Sequence, residues 1–383
     1  MNKSRDQSRG PEAGKAGWPV NRARVLRWEP EAGRRLLVVS DIHGNVPYFE
    51  GVLRRAGFSS RDELIVDGDF LEKGAESLRM LRILMELQRR GNTHVLCGNC
   101  DDWYDIYRPG WNDRDDEKVL QYILWRKCGL LWDMCNAAGL DPFEMSDFSS
   151  AKAELLRAFP EEWAFLRDLP HALETERFVF VHAGRRTDIP LEEHSVGELV
   201  KVDHFLTLNR SFDKWTVVGH WPTVLYGTDR VICNPIIDRR KHIASIDGGC
   251  VLKDDGQLNC LIIPHRDSED FGFVAYDPFP ERTVLDDQAG GGRSYYIRWG
   301  DSSVQVLQRG EEFSRCRHRR TGYEMDILTK YLFTDNPITD CNDCTDYVLP
   351  LKAGDRVRVV EECSRGFFVK HKGVSGWYYG RLK

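Results

Sequence analysis

The sequence of 383 residues contains no long hydrophobic run. No apolar stretch approaches the roughly 20 residues that a membrane-spanning helix needs. The amino-terminal tail also lacks an apolar segment like that of a secretory signal peptide. These absences argue against an integral membrane protein and against export by a signal peptide, so we expect a cytoplasmic protein with no membrane partner.

The chain also lacks an excess of basic residues. Its formal net charge is −6 at pH 7, which gives no general attraction to nucleic acid or to an anionic membrane. Nucleic acid is therefore not an expected partner. The basic run at 315–320 is interpreted as the solvated face of β-strands.

The eleven cysteines form no compact framework. They are odd in number and scattered, which argues against a disulfide scaffold and agrees with a reducing compartment. Cys341 and Cys344 have the spacing of half a zinc knuckle, but no second pair lies nearby to complete four tetrahedral ligands. Most cysteines are therefore expected in the core.

The sequence does contain five short segments in which a polar residue directly follows an apolar run: 40–45, 68–69, 98–99, 181–184 and 219–220. A strand that ends in a turn leaves its last polar side chains at the carboxyl edge of a sheet, where open α/β sheets bind ligands. The oxygen and imidazole donors in these segments suit Mn²⁺, Fe or Zn²⁺. There are enough of them for two ions: Asp41, His43, Asp69, Asn99, His182 and His220.

Hydrophobic periodicity predicts α/β structure around the first three segments. Strands are predicted at 36–39, 64–66 and 94–96, with helices at 47–56 and 75–89 between them, which is βαβαβ order. Strands are predicted again at 215–218, 242–246 and 257–263.

These segments resemble the motifs of the calcineurin-like metallophosphoesterases, and more narrowly of the branch with the Ser/Thr phosphoprotein phosphatases and the bacterial diadenosine tetraphosphatases. The family's ordered signature is Asp-x-His, Gly-Asp-x-x-Asp-Arg-Gly, Gly-Asn-His-Asp/Glu, His-Ala-Gly and Gly-His. The resemblance covers about residues 36–263. It implies a sandwich of two β-sheets flanked by helices, in four αββα layers.

The resemblance also implies a ligand set and a cofactor. By position, a first metal ion takes Asp41, His43 and Asp69, and a second takes Asp69, Asn99, His182 and His220. Asp69 would bridge the two ions. We expect two divalent ions, with Mn²⁺ first and Fe, Zn²⁺ and Ni²⁺ as alternatives, which would lower the pKa of bound water and neutralise charge on the phosphoryl group.

Two positions depart from the family pattern. Cys100 stands where the phosphatases carry the His that serves as general acid, as in small bacterial phosphodiesterases of the same superfamily. Glu72 and Lys73 replace the Asp and Arg of the second motif, and a Lys cannot form the bidentate fork of an Arg. Cys100 is interpreted as a packing residue rather than as a nucleophile.

Four further residues are candidates for catalytic roles. Arg185, Arg210 and Lys73 are candidates to hold the phosphate, although either arginine could instead be a surface charge. Asp101 either caps a helix or supports a metal ligand.

The chain is predicted to divide into a disordered tail at 1–22, a catalytic domain at 23–264, a linker at 265–290 and a β-rich region at 291–383. A helical insertion at about 103–169 is predicted to cap the site. Its many aromatic residues form either its own core or a surface that stacks on a nucleobase or grips a peptide. Residues 348–383 resemble a bacterial Src-homology-3-type barrel, so the carboxyl-terminal region is predicted to form one or two small all-β barrels that bind a protein or peptide.

The favoured function is a dinuclear metal-dependent phosphoesterase, similar to serine/threonine phosphatases, that acts on a phosphorylated protein or a small molecule such as a nucleotide. The alternative is a phosphodiesterase or dinucleoside polyphosphate hydrolase. A non-catalytic, metal-stabilised binding scaffold is the third hypothesis.

Overall fold

The computed structural model describes residues 22–108 and 110–383. They divide into a larger unit, residues 22–223 and 233–278, and a smaller unit, residues 224–232 and 279–383. Apart from Arg22, the tail predicted at 1–22 lies outside the described residues. The domain boundaries drawn from the sequence remain predictions.

The first half of the chain contains β1 (Val25–Arg27), β2 (Leu36–Val39), α1 (Val46–Ala56), β3 (Glu63–Asp67), α2 (Ser77–Arg89), β4 (Thr93–Leu96), α3 (Asp113–Arg126), α4 (Leu130–Ala137), α5 (Ser149–Ala158), α6 (Pro160–Asp168), β5 (Ala172–Glu174), β6 (Phe178–Val181) and α7 (Val196–Val200). There follow β7 (Trp215–Val218), β8 (Val231–Ile232), β9 (Ile236–Asp238), β10 (Ile243–Ser245), β11 (Leu258–Ile263) and β12 (Gly272–Tyr276).

The remaining strands are β13 (Glu281–Thr283), β14 (Tyr296–Ile297), β15 (Ser303–Gln308), β16 (Phe313–His318), β17 (Glu324–Leu328), β18 (Ile338–Asp340), β19 (Cys344–Thr345), β20 (Arg356–Cys363), β21 (Gly366–His371) and β22 (Val374–Tyr378). Short 3₁₀ helices cover Trp103–Tyr107, Leu191–Glu193, Phe205–Thr207, Thr223–Tyr226 and Thr329–Tyr331.

Two sheets form the larger unit. The first has the strand order β12-β11-β2-β3-β4, and the second has the order β1-β5-β6-β7-β10-β9. Strands β2, β3 and β4 run parallel to one another, as do β6, β7 and β10. The carboxyl ends of each parallel set therefore lie at one edge of its sheet.

Successive side chains of a strand point to opposite faces of its sheet, so each strand contributes residues to two different cores. Leu36 and Val38 pack with Phe180 and Val217 of the second sheet. Their alternates Leu37 and Val39 pack instead in a core that includes residues of α1 and α2. Side chains buried on both faces explain why these strands read as continuous apolar runs. The α/β fold class predicted from the sequence, a sandwich of sheets with helices, is confirmed.

The helical insertion consists of several short helices. The 3₁₀ helix Trp103–Tyr107 is followed by α3 to α6, which contribute Phe148, Leu155 and Trp163 to the same core as α1 and α2. Asn112 caps α3, because its side chain accepts a hydrogen bond of 3.0 Å from the backbone N–H of Arg114. Many of the insertion's rings thus lie in a core that the insertion shares with α1 and α2.

The smaller unit is built of antiparallel sheets. One sheet has the order β13-β20-β21-β22-β8, another has the order β17-β16-β15-β18, and β14 pairs with β19. Each larger sheet has its own buried core, around Val357 and Tyr378 in one and Val304 and Cys316 in the other. The Src-homology-3-like character of residues 348–383 and its ligand stay predictions.

The stretch 265–290, predicted as a linker, contains strands β12 and β13. Strand β12 extends the first sheet, since it pairs with β11 through Phe273 and Val274. Tyr276 packs edge-on against Tyr48 of α1 with ring centroids 5.8 Å apart. The sequence pattern did not indicate strand β12, because its short apolar run is surrounded by proline and glycine residues. In the part of the chain that the structure describes, no helix has both the length and the apolar character of a membrane span.

Candidate metal centre

The predicted ligands lie at the ends of parallel strands. Asp41 and His43 follow β2, Asp69 follows β3, and Asn99 follows β4 in the first sheet. His182 directly follows β6, and His220 comes two residues after β7 in the second sheet. The sandwich therefore supplies donors to one site from both of its sheets.

Backbone hydrogen bonds continue the pairing of β2 and β3 into the ligand loops. The N–H of Asp41 donates to the carbonyl of Gly68 at 3.1 Å, and the N–H of His43 donates to the carbonyl of Asp69 at 2.9 Å. Four ligand residues have left-handed backbones, with φ of +57° at Asp41, +52° at His43, +51° at Asp69 and +64° at His220. Each costs roughly 1–2 kcal/mol relative to ordinary backbone, and such strain accumulates at functional sites.

Asp69 is the residue common to two clusters of potential metal donors. In one cluster, donor atoms of His43, Asp69 and Cys100 all lie within 4.8 Å of one another. In the other, donor atoms of Asp69, His182 and His220 satisfy the same limit. A carboxylate shared by two donor clusters is the geometry that a bridging ligand requires.

Backbone carbonyls orient two of the imidazoles. His43 places Nδ1 at 3.2 Å from the carbonyl of Leu71, and His182 places Nδ1 at 2.9 Å from the carbonyl of Asp67. A hydrogen bond from Nδ1–H leaves Nε2 with its lone pair for a metal ion. His182 Nε2 lies 3.2 Å from Asp69 Oδ1.

Burial and neighbouring charges set opposite pKa values for these two histidines. Burial, assisted by the Lys73 ammonium, lowers the pKa of His43 to about 3. Burial acts in the same direction on His182, but the carboxylates of Asp69 and Asp41 outweigh it and raise the pKa to about 10. In the metal-free protein His43 is therefore a neutral ligand, whereas His182 must lose a proton before it binds an ion.

Asp41 is held by two donors. Its Oδ2 accepts hydrogen bonds from the hydroxyl of Ser40 and from the backbone N–H of His220, the latter at 2.9 Å. The imidazole of His220 is oriented in turn by Asp203, whose Oδ1 lies 3.0 Å from Nε2. Carboxylates that orient metal-bound histidines in this way are common in metal sites.

One predicted ligand atom, Oδ1 of Asn99, is buried without a hydrogen-bond partner among the described residues. Nε2 of His182 is also buried, and it faces Oδ1 of Asp69 at 3.2 Å. A buried polar atom without a partner costs about 1–3 kcal/mol, and coordination to a cation would satisfy Oδ1 of Asn99. The donor set of carboxylate and amide oxygens with imidazole nitrogens also fits Mn²⁺, Fe or Zn²⁺. The residues present thus fit a dinuclear centre.

Asp101 lies at the base of the site rather than at its surface. Its carboxylate is fully buried and accepts backbone hydrogen bonds from Asp69 at 2.7 Å, Gly98 at 2.8 Å and Leu71 at 3.0 Å. These contacts tie the β3 and β4 loops together. Of the two roles considered for Asp101, support of a metal ligand is the one that these contacts favour.

Lys73 stands beside the ligands. Its Nζ lies 3.3 Å from His43 Nε2 and 3.9 Å from Asp69 Oδ2. The geometry brings a cation to the ligand cluster, where a phosphate oxygen could also bind. Its proposed role in holding phosphate stays a prediction.

Arg185 and Arg210 contact each other. Arg210 Nη1 donates to the carbonyl of Arg185 at 2.8 Å. Arg185 Nε donates to the hydroxyl of Thr216 at 3.0 Å, and its guanidinium lies 4.2 Å from the ring centroid of Phe212. Among the described residues these contacts include none of the six predicted metal ligands. Phosphate binding by either arginine stays a prediction.

Glu72 connects the ligand loop to the helical insertion. Its buried carboxylate accepts hydrogen bonds from Trp103 Nε1 at 2.9 Å, the hydroxyl of Tyr122 at 2.7 Å and the backbone N–H of Leu130 at 2.8 Å. Sequence reasoning missed this role, and it also missed Ser40 and Asp203. Ser40 adjoins a predicted ligand, which is a signal that could have found it, whereas no local pattern marks Asp203.

Comparison with known proteins agrees with this geometry. The family model described as calcineurin-like phosphoesterase matches residues 34–243. The symmetrical bis(5′-nucleosyl)-tetraphosphatase of Nitrosomonas europaea is 28% identical over 250 residues, which are 62% of this chain and 81% of that protein.

Two further proteins are similar. The asymmetrical bis(5′-nucleosyl)-tetraphosphatase PrpE of Bacillus cereus is 24% identical over 248 residues, covering 60% of this chain and 91% of that protein. A solved serine/threonine phosphatase from Saccharomyces cerevisiae aligns with a TM-score of 0.40 and 10% identity, covering 68% of this chain and 85% of that one.

Proposed function

Since the chain belongs to the calcineurin-like phosphoesterase family, we propose that it hydrolyses phosphoanhydride bonds in nucleotides, with dinucleoside polyphosphates as the substrate class. The coarser function is that of a metal-dependent phosphoric ester hydrolase. The family uses a dinuclear divalent metal site, and His/Asp groups suited to such a site are present. The two relatives whose names describe bis(5′-nucleosyl)-tetraphosphatases support the proposed substrate class.

The observation that carries the proposal is the thiol of Cys100 at the edge of the ligand cluster. Cys100 lies with His43 and Asp69 where an imidazole general acid would be expected from the family pattern. An alkoxide leaving group, such as that of a phosphoserine, needs a proton as it departs. A nucleotide released from a polyphosphate leaves as a stabilised phosphate anion and needs none. General-acid assistance is typically worth a factor of about 10² to 10⁴, so its loss selects for such leaving groups.

The proposed role of each residue follows from its contacts. Asp41, His43, Asp69, Asn99, His182 and His220 hold the two ions, as proposed from the sequence. Bound ions supply a more acidic water and electrostatic stabilisation of the phosphoryl oxygens. Asp101 holds the loops that present Asp69, and Ser40 fixes the orientation of Asp41. Mn²⁺ is the proposed metal on the chemistry of the donor set.

A substrate panel with added Mn²⁺ tests the proposal. The panel contains diadenosine tetraphosphate, a phosphoserine peptide, p-nitrophenyl phosphate and bis-p-nitrophenyl phosphate. We expect kcat/KM for diadenosine tetraphosphate to exceed that for the phosphoserine peptide by at least about 10²-fold. The Asp69→Asn variant, purified in parallel, controls for contaminating phosphatases. A phosphoserine peptide cleaved as well as the dinucleotide would contradict the proposal.

A second candidate is a phosphomonoesterase acting on phosphoproteins or small molecules, the function first favoured from the sequence. The observation that favours it is Lys73, whose ammonium lies beside His43 and Asp69. A terminal phosphate dianion carries more charge for such a cation to bind than an internal phosphate does. Preference for the phosphoserine peptide in the same panel would support this candidate.

A further inference from the structure

The last turn of α3 and the start of α4 rest on the loop that carries the metal ligands. The hydroxyl of Tyr122 and the backbone N–H of Leu130 both donate to Glu72, at 2.7 Å and 2.8 Å. Between them, Cys128 Sγ lies 3.7 Å from the carbonyl of Lys73. Residues 122–130 are thus fixed next to a loop whose Lys73 ammonium reaches His43. The segment therefore borders the loop that carries Asp69 and Lys73.

This segment exposes aromatic surface next to positive charge. Trp125 and Phe143 are 56% and 61% exposed, and they are the two most exposed large hydrophobic side chains among the described residues. The Arg126 guanidinium lies 4.9 Å from the ring centroid of Trp125, and Lys127 Nζ lies 5.3 Å from that of Phe143. We name Trp125, Arg126, Lys127 and Phe143 the cation-aromatic shelf. The shelf therefore presents aromatic faces and positive charge side by side, the combination that binds nucleotides and single-stranded nucleic acid.

Arg126 is the member of the shelf with unused hydrogen-bonding capacity. Its Nε is buried and has no hydrogen-bond partner among the described residues. Its side chain is half-buried, and its charge acts on the buried Glu72 carboxylate, whose charged form it partly stabilises. The planar guanidinium of an arginine is suited to bidentate binding of phosphate through its N–H groups. The stack on Trp125 holds this guanidinium in place.

We propose that the cation-aromatic shelf binds a nucleoside phosphate portion of the substrate, with the base stacked on Trp125 and a phosphate oxygen held by Arg126. This inference rests on the proposed function and adds to it a specificity site outside the metal centre. A base offers a π face to an exposed indole, and the polyphosphate supplies anionic charge complementary to that of Arg126 and Lys127. The charge favours a nucleotide over an uncharged ligand.

Binding of adenosine 5′-diphosphate, measured by calorimetry with Mn²⁺ present, tests the shelf without turnover. We expect Trp125→Ala to weaken binding by about 5- to 100-fold, the range typical of one base stacked on an aromatic side chain. Arg126→Gln should weaken binding of adenosine diphosphate more than that of adenosine. Trp299→Ala is the matched control, because Trp299 is an exposed tryptophan, 49% accessible, in the smaller unit. The affinity of the Trp299→Ala variant for adenosine diphosphate should stay within twofold of that of the wild type.

Kinetics give a second readout. For Trp125→Ala, the ratio of kcat/KM for diadenosine tetraphosphate to that for p-nitrophenyl phosphate should fall at least tenfold. Equal affinity for adenosine diphosphate in Trp125→Ala and Trp299→Ala would overturn the shelf. The shelf would also be overturned if the wild-type protein bound adenosine diphosphate no more tightly than inorganic pyrophosphate. An effect confined to turnover of a phosphoserine peptide would likewise overturn it, since the occupant would then be a peptide.

The two proposals fail separately. Hydrolysis of diadenosine tetraphosphate with no effect of the shelf substitutions refutes the shelf and leaves the proposed function standing. Binding of adenosine diphosphate that depends on Trp125, without hydrolysis of any dinucleoside polyphosphate, refutes the proposed function and leaves the shelf standing.

Discussion

Replacement of Glu72 by Ala removes three hydrogen bonds at once. The donors are Trp103 Nε1, the hydroxyl of Tyr122 and the backbone N–H of Leu130, all of which point at a carboxylate that is only 3% exposed. A buried donor left without a partner costs about 1–3 kcal/mol, and water entering the space recovers part of it. We expect Glu72→Ala to lower the free energy of unfolding by about 3–5 kcal/mol.

Glu72→Gln should be far milder because the amide retains every hydrogen bond. Oε1 still accepts from Trp103 and Leu130, and the new NH₂ group can donate to the hydroxyl oxygen of Tyr122, which changes from donor to acceptor. The lost charge carries little penalty, since burial raises the pKa of Glu72 above its ordinary value. We expect a loss of less than about 1 kcal/mol.

Because the pKa of Glu72 is raised, the difference in stability between Glu72→Gln and the wild type should depend on pH. A carboxyl whose folded-state pKa is raised stabilises the folded state fully below its unfolded pKa, about 4.3. That contribution is lost as pH rises through the folded-state pKa. Glu72→Gln has no such titration, so its stability relative to wild type should improve as pH rises from about 4 to neutral.

Urea unfolding followed by tryptophan fluorescence, with metal removed by chelation, measures these differences. Glu162→Ala is the matched control, because Glu162 is also a buried glutamate but, among the described residues, its side chain binds Arg82 alone, at 2.8 Å. Its loss should cost about 1 kcal/mol or less. If Glu72→Ala and Glu72→Gln were equally destabilised, or if Glu72→Ala stayed within 1 kcal/mol of wild type, Glu72 would not anchor the insertion.

Four further outcomes are expected at the candidate metal centre. Asp69→Asn should lower turnover by at least about 10²-fold, because an amide cannot bridge two cations. Elemental analysis should then find fewer than two Mn²⁺ ions per chain. Two tightly bound ions with full activity would exclude a bridging role for Asp69. Asp101→Asn keeps two of three backbone hydrogen bonds but turns an NH₂ group toward the N–H of Leu71. Urea unfolding should therefore show a loss of about 1–3 kcal/mol in the free energy of unfolding. An unchanged midpoint would count against the supporting role of Asp101. Since the pKa of His182 is about 10, the metal-free protein should lose stability as pH rises from about 6.5 to 10. Mn²⁺ binding should release a proton, detectable by calorimetry in two buffers of different ionisation enthalpy, and a pH-independent affinity would argue against His182 as a ligand.

Much of the larger unit could be predicted because its strands are buried on both faces. Strand β2 at Leu36–Val39 and strand β7 at Trp215–Val218 have the predicted bounds. Strand β1 at Val25–Arg27 was missed, since a three-residue edge strand carries too short a pattern to exceed the background. It exists because it pairs with β5 across 147 residues of sequence, a contact that no local pattern encodes.

The places of the candidate ligands in the fold were predictable for a different reason. Each lies in the loop that follows a strand, so the fold positions its backbone. Arg185 shows the limit of this argument, because it follows the His-Ala-Gly motif but its side chain turns to Thr216 and Phe212. The position of a backbone at a strand end can be predicted, whereas the direction of a long side chain depends on neighbours that are remote in sequence.

The two departures from the family pattern can be explained together. An imidazole at position 100 would need a carboxylate to orient it, and the two carboxylates considered for that task are Glu72 and Asp101. Glu72 already accepts three hydrogen bonds from the helical insertion, and Asp101 accepts three from backbone N–H groups of the ligand loops. A general-acid histidine would therefore compete with these donors for its orienting carboxylate. The acidic residue of the second motif anchors the insertion instead, and the thiol of Cys100, which needs no such carboxylate, stands in place of the histidine.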